Sequence, residues 1–298
     1  MKTLTLILKR NIKLFFKDKG LFLTSLITPM ILLVLYVSFL GDVYRDSFLM
    51  TLPETIKVSE KLVDSYVANQ LCSSILAVSC VTVAFCSNFL MVQDKANGTI
   101  KDLRITPVRT STLSIGYYLS SFVSTLLICF IAAILCLGYI AIIGWFISVG
   151  DVLLLFVDVF LLTLFGTALS SVINFFLSTQ GQMSAVGTLV SSCYGFICGA
   201  YMPISSFNET LQKVISFLPG TYGTVLVRYH SLRGVFDAME KDGVPKEFID
   251  SCMDAIDCNI YFFGEKVSPA MMYVILGSTI AVLISIFVLQ NTLKKKVK

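Results

Sequence analysis

Charge is scarce in this chain. Asp, Glu, Lys and Arg make up 14% of 298 residues, hydrophobic residues 56%, and the mean hydropathy is +0.82. That leaves little material for a soluble domain with a solvated surface. Residue types for catalysis are also thin. The one histidine, His230, and the nine cysteines show no metal-ligand spacing. No glycine is followed by lysine, so the phosphate-cradling G-x-x-x-x-G-K-[ST] loop is absent, and ATP binding through a loop of the chain's own is excluded. G-x-S-x-G, H-E-x-x-H and C-x-x-C are absent too. Nucleic-acid binding has no support beyond basic flanks that a membrane explains.

What is abundant is long apolar sequence. Six runs, at residues 21–40, 71–92, 119–143, 152–177, 185–202 and 270–289, are each close to the length that crosses a bilayer. A hydrocarbon core of about 30 Å takes about 20 helical residues. The pattern predicts an all-α polytopic membrane protein with six transmembrane helices, forming a single transmembrane domain over 1–298. Secretory apolar regions are shorter than the first run, and no small-x-small cleavage site follows it, so it reads as a retained anchor.

The charges between the runs are sorted by side. With the N-terminus inside, the cytoplasmic segments carry 14 basic residues against Asp18, Asp94 and Asp102. The opposite side carries nine basic residues and 15 acids, with Asp158 left out as intramembrane. Cytoplasmic excess of Lys and Arg sets orientation, so both termini are expected inside. Lys294, Lys295 and Lys296 form a snorkelling anchor after the last run.

Residues 1–20 read as a basic interfacial helix, with Leu4, Leu8, Ile12 and Phe15 on one face and Lys9, Arg10, Lys13 and Lys17 on the other. Membrane lipid is its expected partner. Pro29 interrupts the first span and predicts a kink. Residues 41–69 read as an external segment, 93–111 as the main cytoplasmic loop, and Trp145 as an interfacial aromatic. Gly195 and Gly199 form a small-xxx-small pair suited to close helix approach. The external segment 203–269 divides in two. Its first part, to about Gly234, is apolar between Gly and Pro breaks and predicts two short re-entrant helices. Residues 235–266 are acidic and predict a small cap, with an amphipathic helix over 245–258. Cys252 and Cys258 of this part could form a disulfide in an oxidising compartment, whereas on such a helix they stand about 9 Å apart, beyond the reach of a bridge.

Two motifs carry a resemblance. The first is the loop Asp94-Lys95-Ala96-Asn97-Gly98-Thr99-Ile100-Lys101-Asp102-Leu103-Arg104-Ile105-Thr106-Pro107-Val108. The second combines Gly199-Ala200-Tyr201-Met202-Pro203 with Leu211-Gln212, Leu218-Pro219-Gly220-Thr221-Tyr222, Arg228 and Gly234. Together they resemble the permease subunit of ABC type-2 transporters, mostly bacterial exporters of the multidrug type. The resemblance extends over nearly the whole chain. Gln93-Asp94 stands where the family often has Arg-Glu, and Gly116-Tyr117 where it often has Gly-Lys.

The resemblance implies a transport subunit that is not itself an enzyme and binds no cofactor. ATP and Mg would act through a partner ABC ATP-binding subunit, and a second permease, identical or not, would complete the transporter. The loop would be a coupling helix seated on the ATPase, with Asp94, Gly98, Thr99, Leu103 and Pro107 as its key residues; Gly98 breaks its start and Pro107 its end. A hydrophobic or amphipathic cargo follows: a drug-like compound, small peptide or lipid. Asp158, the one acid well inside a span, is a candidate contact for a cationic substrate. The competing reading makes it a hydrogen-bonded side chain near the external headgroups, two turns from Asp151. A secondary transporter would show repeats between its halves. A membrane-anchored protein with an external binding cap would rest on residues 235–266.

Overall fold

The computed structural model describes residues 2–52 and 58–293, and the basic tail from Lys294 lies outside them. Twelve α-helices and one two-stranded hairpin make up the described chain. The protein is an all-α polytopic membrane protein. Five helical segments among the described residues are long and apolar enough to cross a bilayer: Lys19–Met50, Glu60–Ala96, Thr110–Ile143, Val149–Asn174 and Pro269–Asn291.

Polar side chains set where the helices start. Asp18 separates α1 (Lys2–Lys17) from α2 (Lys19–Leu35) by accepting the Leu21 N–H at 3.1 Å. Pro29 lies within α2, yet the departure from α geometry comes later, as a π-turn over Tyr36–Leu40. The chain then stays helical through α3 (Gly41–Thr51), and Ser59 caps α4 (Glu60–Ala96). The described residues of the external segment read at 41–69 are therefore largely helix. Their charges (Asp42, Arg45, Asp64) sit on helix faces, and Arg45 pairs with Asp64.

α4 is the axis of the fold. Its 37 residues reach about 55 Å, and its apolar stretch is wholly enclosed by α2, α6 (Thr110–Ile143), α7 (Val149–Asn174), α8 (Gln180–Ile197) and α10 (Pro219–Lys241). A helix buried on all sides in a membrane protein associates through polar contacts as well as packing. Asn88 donates to Ser170 and Ser171 of α7 at 3.0 and 2.7 Å, and Ser87 bonds Thr125 of α6 at 2.9 Å.

The run at 185–202 corresponds to α8, whose 18 residues start with a Thr179–Gln182 capping box and end at Ile197. Gly195 and Gly199 do not pair across helices. Gly199 adopts φ +73° just past the helix end, the Ala200 N–H closes onto the Gly195 carbonyl at 2.9 Å, and the Tyr201 ring folds against Gly195.

Beyond α8, the expected pair of short helices is unequal. α9 (Glu209–Ser216) has eight residues, but α10 has 23 and runs through the expected boundary at Gly234. Pro219 opens α10 at its first turn, where proline is favoured. Gly234 sits against the backbone of Phe146 and Ile147, where a Cβ would clash. α11 (Lys246–Ala255) stops three residues short of Cys258 because Asp257 turns to φ +56°. Cys252 and Cys258 are both buried free thiols in a second core, with Phe48, Tyr66, Phe236 and Met239. A hairpin, β1 (Tyr261–Phe262) with β2 (Glu265–Lys266), leads into α12 (Pro269–Leu293).

Candidate functional site

The loop 94–108 contains α5 (Thr99–Ile105), a single short helix mounted on the end of α4. Gly98 reverses the chain at φ +79°, a backbone conformation costing other residues about 1–2 kcal/mol. Pro107 follows the exit, where Thr106 leaves helical geometry. Ile100, with Leu103 and Val108 partly buried beside it, packs into an apolar cluster with Ile7, Leu90, Met91, Leu113 and Tyr117. Four helices, α1, α4, α5 and α6, share this cluster. On the other face of α5, Lys101, Asp102 and Ile105 are exposed, Ile105 to 86%.

Beneath α5 lies a polar clamp. Asp94 is buried at the end of α4. It accepts Arg10 Nη1 at 2.8 Å and Nη2 at 3.3 Å, and the Tyr117 hydroxyl as well. Arg10 Nη1 also donates to Asn11 Oδ1 at 2.8 Å, and Asn11 Nδ2 to Ser120 at 3.2 Å. The hydrogen bond to Asp94 raises the Arg10 pKa above its ordinary value, so the guanidinium stays charged. Arg10, expected on the solvated face of the interfacial helix, is thus turned inward. The fully buried residues of α1 are Ile7, Asn11 and Phe15; of the expected apolar face, Phe15 is buried and Leu4, Leu8 and Ile12 are half-buried. One residue beyond Asp94, Lys95 Nζ donates to the carbonyls of Asn174, Phe175 and Leu177 at 2.8, 2.8 and 3.0 Å, capping the end of α7.

A groove of about 840 Å³ runs between α2 and α8, with α4 behind it. Leu21, Ile27, Ile31, Leu35, Phe39 and Phe196 give it an apolar wall, interrupted by Thr24, Thr28, Ser191 and Ser192. Of α8, only Gly195 is buried.

A family model for the ABC-2 type transporter matches residues 2–231, from α1 into α10. The chain belongs to the ABC-2 type transporter family. Among curated proteins the sequence finds no match. An ABC-2 permease is a membrane transport subunit rather than an enzyme, and membership implies association with an ABC ATP-binding subunit. The match stops before the cap and α12.

Within this permease the structure gathers four of the expected residues, Asp94, Gly98, Thr99 and Leu103, around α5. Leu103 packs partly inward rather than outward, so the exposed apolar residue of α5 is Ile105. Pro107 is exposed beside a hollow of about 410 Å³ shared with Thr3 and Leu4 of α1. Asp158 is elsewhere, on α7. It is 1% exposed, paired with His230 Nδ1 of α10 at 2.6 Å, and accepts the Tyr273 hydroxyl of α12. It does not line the groove. Arg10, Tyr117 and Tyr273 escape the sequence reading. The available signal is that an acid at the end of an apolar run requires a partner, and Arg10 is the cation an amphipathic α1 can turn toward it. Arg228, 1% exposed, donates to the carbonyls of Ile256 and Gly199, both at 2.7 Å, and stands 3.6 Å from Asp257. It fastens α10 to the cap and to the end of α8.

Proposed function

We propose that this chain is the permease of an ATP-binding-cassette exporter, driven by a separate ATPase that supplies ATP and Mg chemistry. The observation that carries this is the mounting of α5. One face is built into the core of α1, α4 and α6, while Lys101, Asp102 and Ile105 project from the other. A load applied to that face reaches α4, which packs on most of the other helices. ATP binding in the partner shifts the permease between two states only through its differential affinity for them, and a rigidly seated α5 carries that difference inward. Both termini and α5 are cytoplasmic in this reading, the orientation that the sorted charges favour, and the membrane is the plasma membrane.

The α2–α8 groove is the substrate path, completed by a second permease on the same face, with α8 as the sixth span. Its apolar wall and isolated hydroxyls suit a hydrophobic or amphipathic cargo, a drug-like compound, small peptide or lipid, moved out of the cell. Asp158 acts here as a clasp joining α7, α10 and α12. Asp158→Asn should lower stability and transport of neutral and cationic cargo alike; selective loss of cationic cargo would return it to the path.

Ile105→Glu tests the coupling face. It should abolish ATP-dependent export and co-purification of the ATP-binding subunit, leaving thermal stability unchanged. Export at the original rate would reject the proposal.

A further inference from the structure

The hairpin before α12 carries an aromatic cluster whose exposure nothing in the coupling mechanism uses. Phe217, at the end of α9, meets Phe262 and Phe263 with ring centroids 5.1 and 5.9 Å away, and those two rings are 4.8 Å apart. Phe263 is 72% and Phe217 59% exposed, and Val214 and Leu218 extend the patch. An apolar surface of this kind is uncommon on a face that meets water.

Its place in the fold says what covers it. Phe217 leads directly into α10, where Gly223 packs against Leu162 of α7 and Leu276 of α12. Leu276 lies about 10 Å inside the start of α12. The hairpin runs straight into Pro269, the first residue of the last apolar span, so the patch flanks the entry of that span. The hairpin stem, Ile260 and Val267, packs on α10 and α12, and Met271 and Val274 of α12 are exposed. This flank lies on α12, whereas the groove is walled by α2, α4 and α8. Polar groups back the rings: the Tyr261 hydroxyl donates to Asp254 at 3.0 Å, and Lys213, Glu265 and Lys266 are exposed. Aromatic rings with polar atoms on one side are what a lipid headgroup boundary accepts.

We infer that the hairpin tip and the end of α9 are embedded in the leaflet opposite α5, with Phe217, Phe262 and Phe263 at the headgroup–acyl boundary. The occupant of the patch is phospholipid. The hairpin thereby fixes the depth of the α9–α10 junction, where the backbone reverses inside the membrane.

The test uses the full-length chain in phosphatidylcholine nanodiscs with Trp145→Phe, so that Phe263→Trp, Leu218→Trp or Asp250→Trp supplies a single indole probe. With dibrominated lipids, the probe at position 263 should be quenched most by bromines at the upper acyl carbons, and the probe at position 218 at equal or greater depth. The probe at position 250, on the exposed face of α11, should be unaffected. An unquenched probe at position 263 would overturn the inference. Its emission then names the replacement: water-like for a solvated hairpin, blue-shifted for a protein partner.

Discussion

A carboxylate buried at the end of an apolar helix needs a cation and further donors, and Asp94 has Arg10 and Tyr117. Removing one partner of a charged hydrogen bond leaves the other desolvated, at a cost of about 1.5–3 kcal/mol. Arg10→Gln should destabilise the permease by about that much. Arg10→Gln with Asp94→Asn should cost less than the two single changes together, by more than about 0.5 kcal/mol. A double-mutant cycle on thermal unfolding checks this, and strict additivity would dissolve the clamp. A second residue-scale expectation concerns Asp257. Burial, only partly offset by Arg228, pushes its pKa up to about 6. Between the unfolded value near 3.9 and about 6 the folded state holds the proton, so this group's stabilising contribution is complete at acid pH. It is lost as pH rises through about 6. The stability difference between the original chain and Asp257→Asn should therefore change across pH 4–6 and stay level above. At this scale the sequence exposed Asp94, Gly98 and Asp158 as unusual. It could not pair them, because partners 84 and 72 positions away meet only once the helices pack.

Among the elements, the spans were legible because about 20 apolar residues in a row have few other fates. Their ends were less so. α4 begins 11 residues before its apolar run because Ser59 caps it and Glu60 and Asp64 project from helix faces that packing does not need. α10 was concealed by its glycines. Read alone they are breakers, but Gly220, Gly223 and Gly234 are places where Phe165, Leu162 and the Phe146 backbone press close. α5 yields a test at this scale. Gly98→Val places a β-branched residue at φ +79° and should cost about 1–2 kcal/mol or more, with loss of transport. Leu103→Asp should lower stability and transport together, because Leu103 packs on the inner cluster. Transport lost at full stability would place Leu103 on the docking face instead.

At the scale of the whole molecule, two ends are joined by one helix. The clamp of Arg10, Asp94 and Tyr117, the Lys95 cap on α7 and the seat of α5 lie at one end of α4. The Arg228 contacts and the cap lie toward the other. The groove lies between, open along α2 and α8. This layout asks for an engine at α5 and a second wall at the groove, and the chain, with no phosphate loop, supplies neither. The most direct measurement is photocrosslinking in cells with a benzoylphenylalanine at position 105 and a control at position 250. The account predicts that position 105 captures a protein bearing a G-x-x-x-x-G-K-[ST] loop and that position 250 does not. Capture of no such protein from position 105, while ATP-driven export continues, would contradict it.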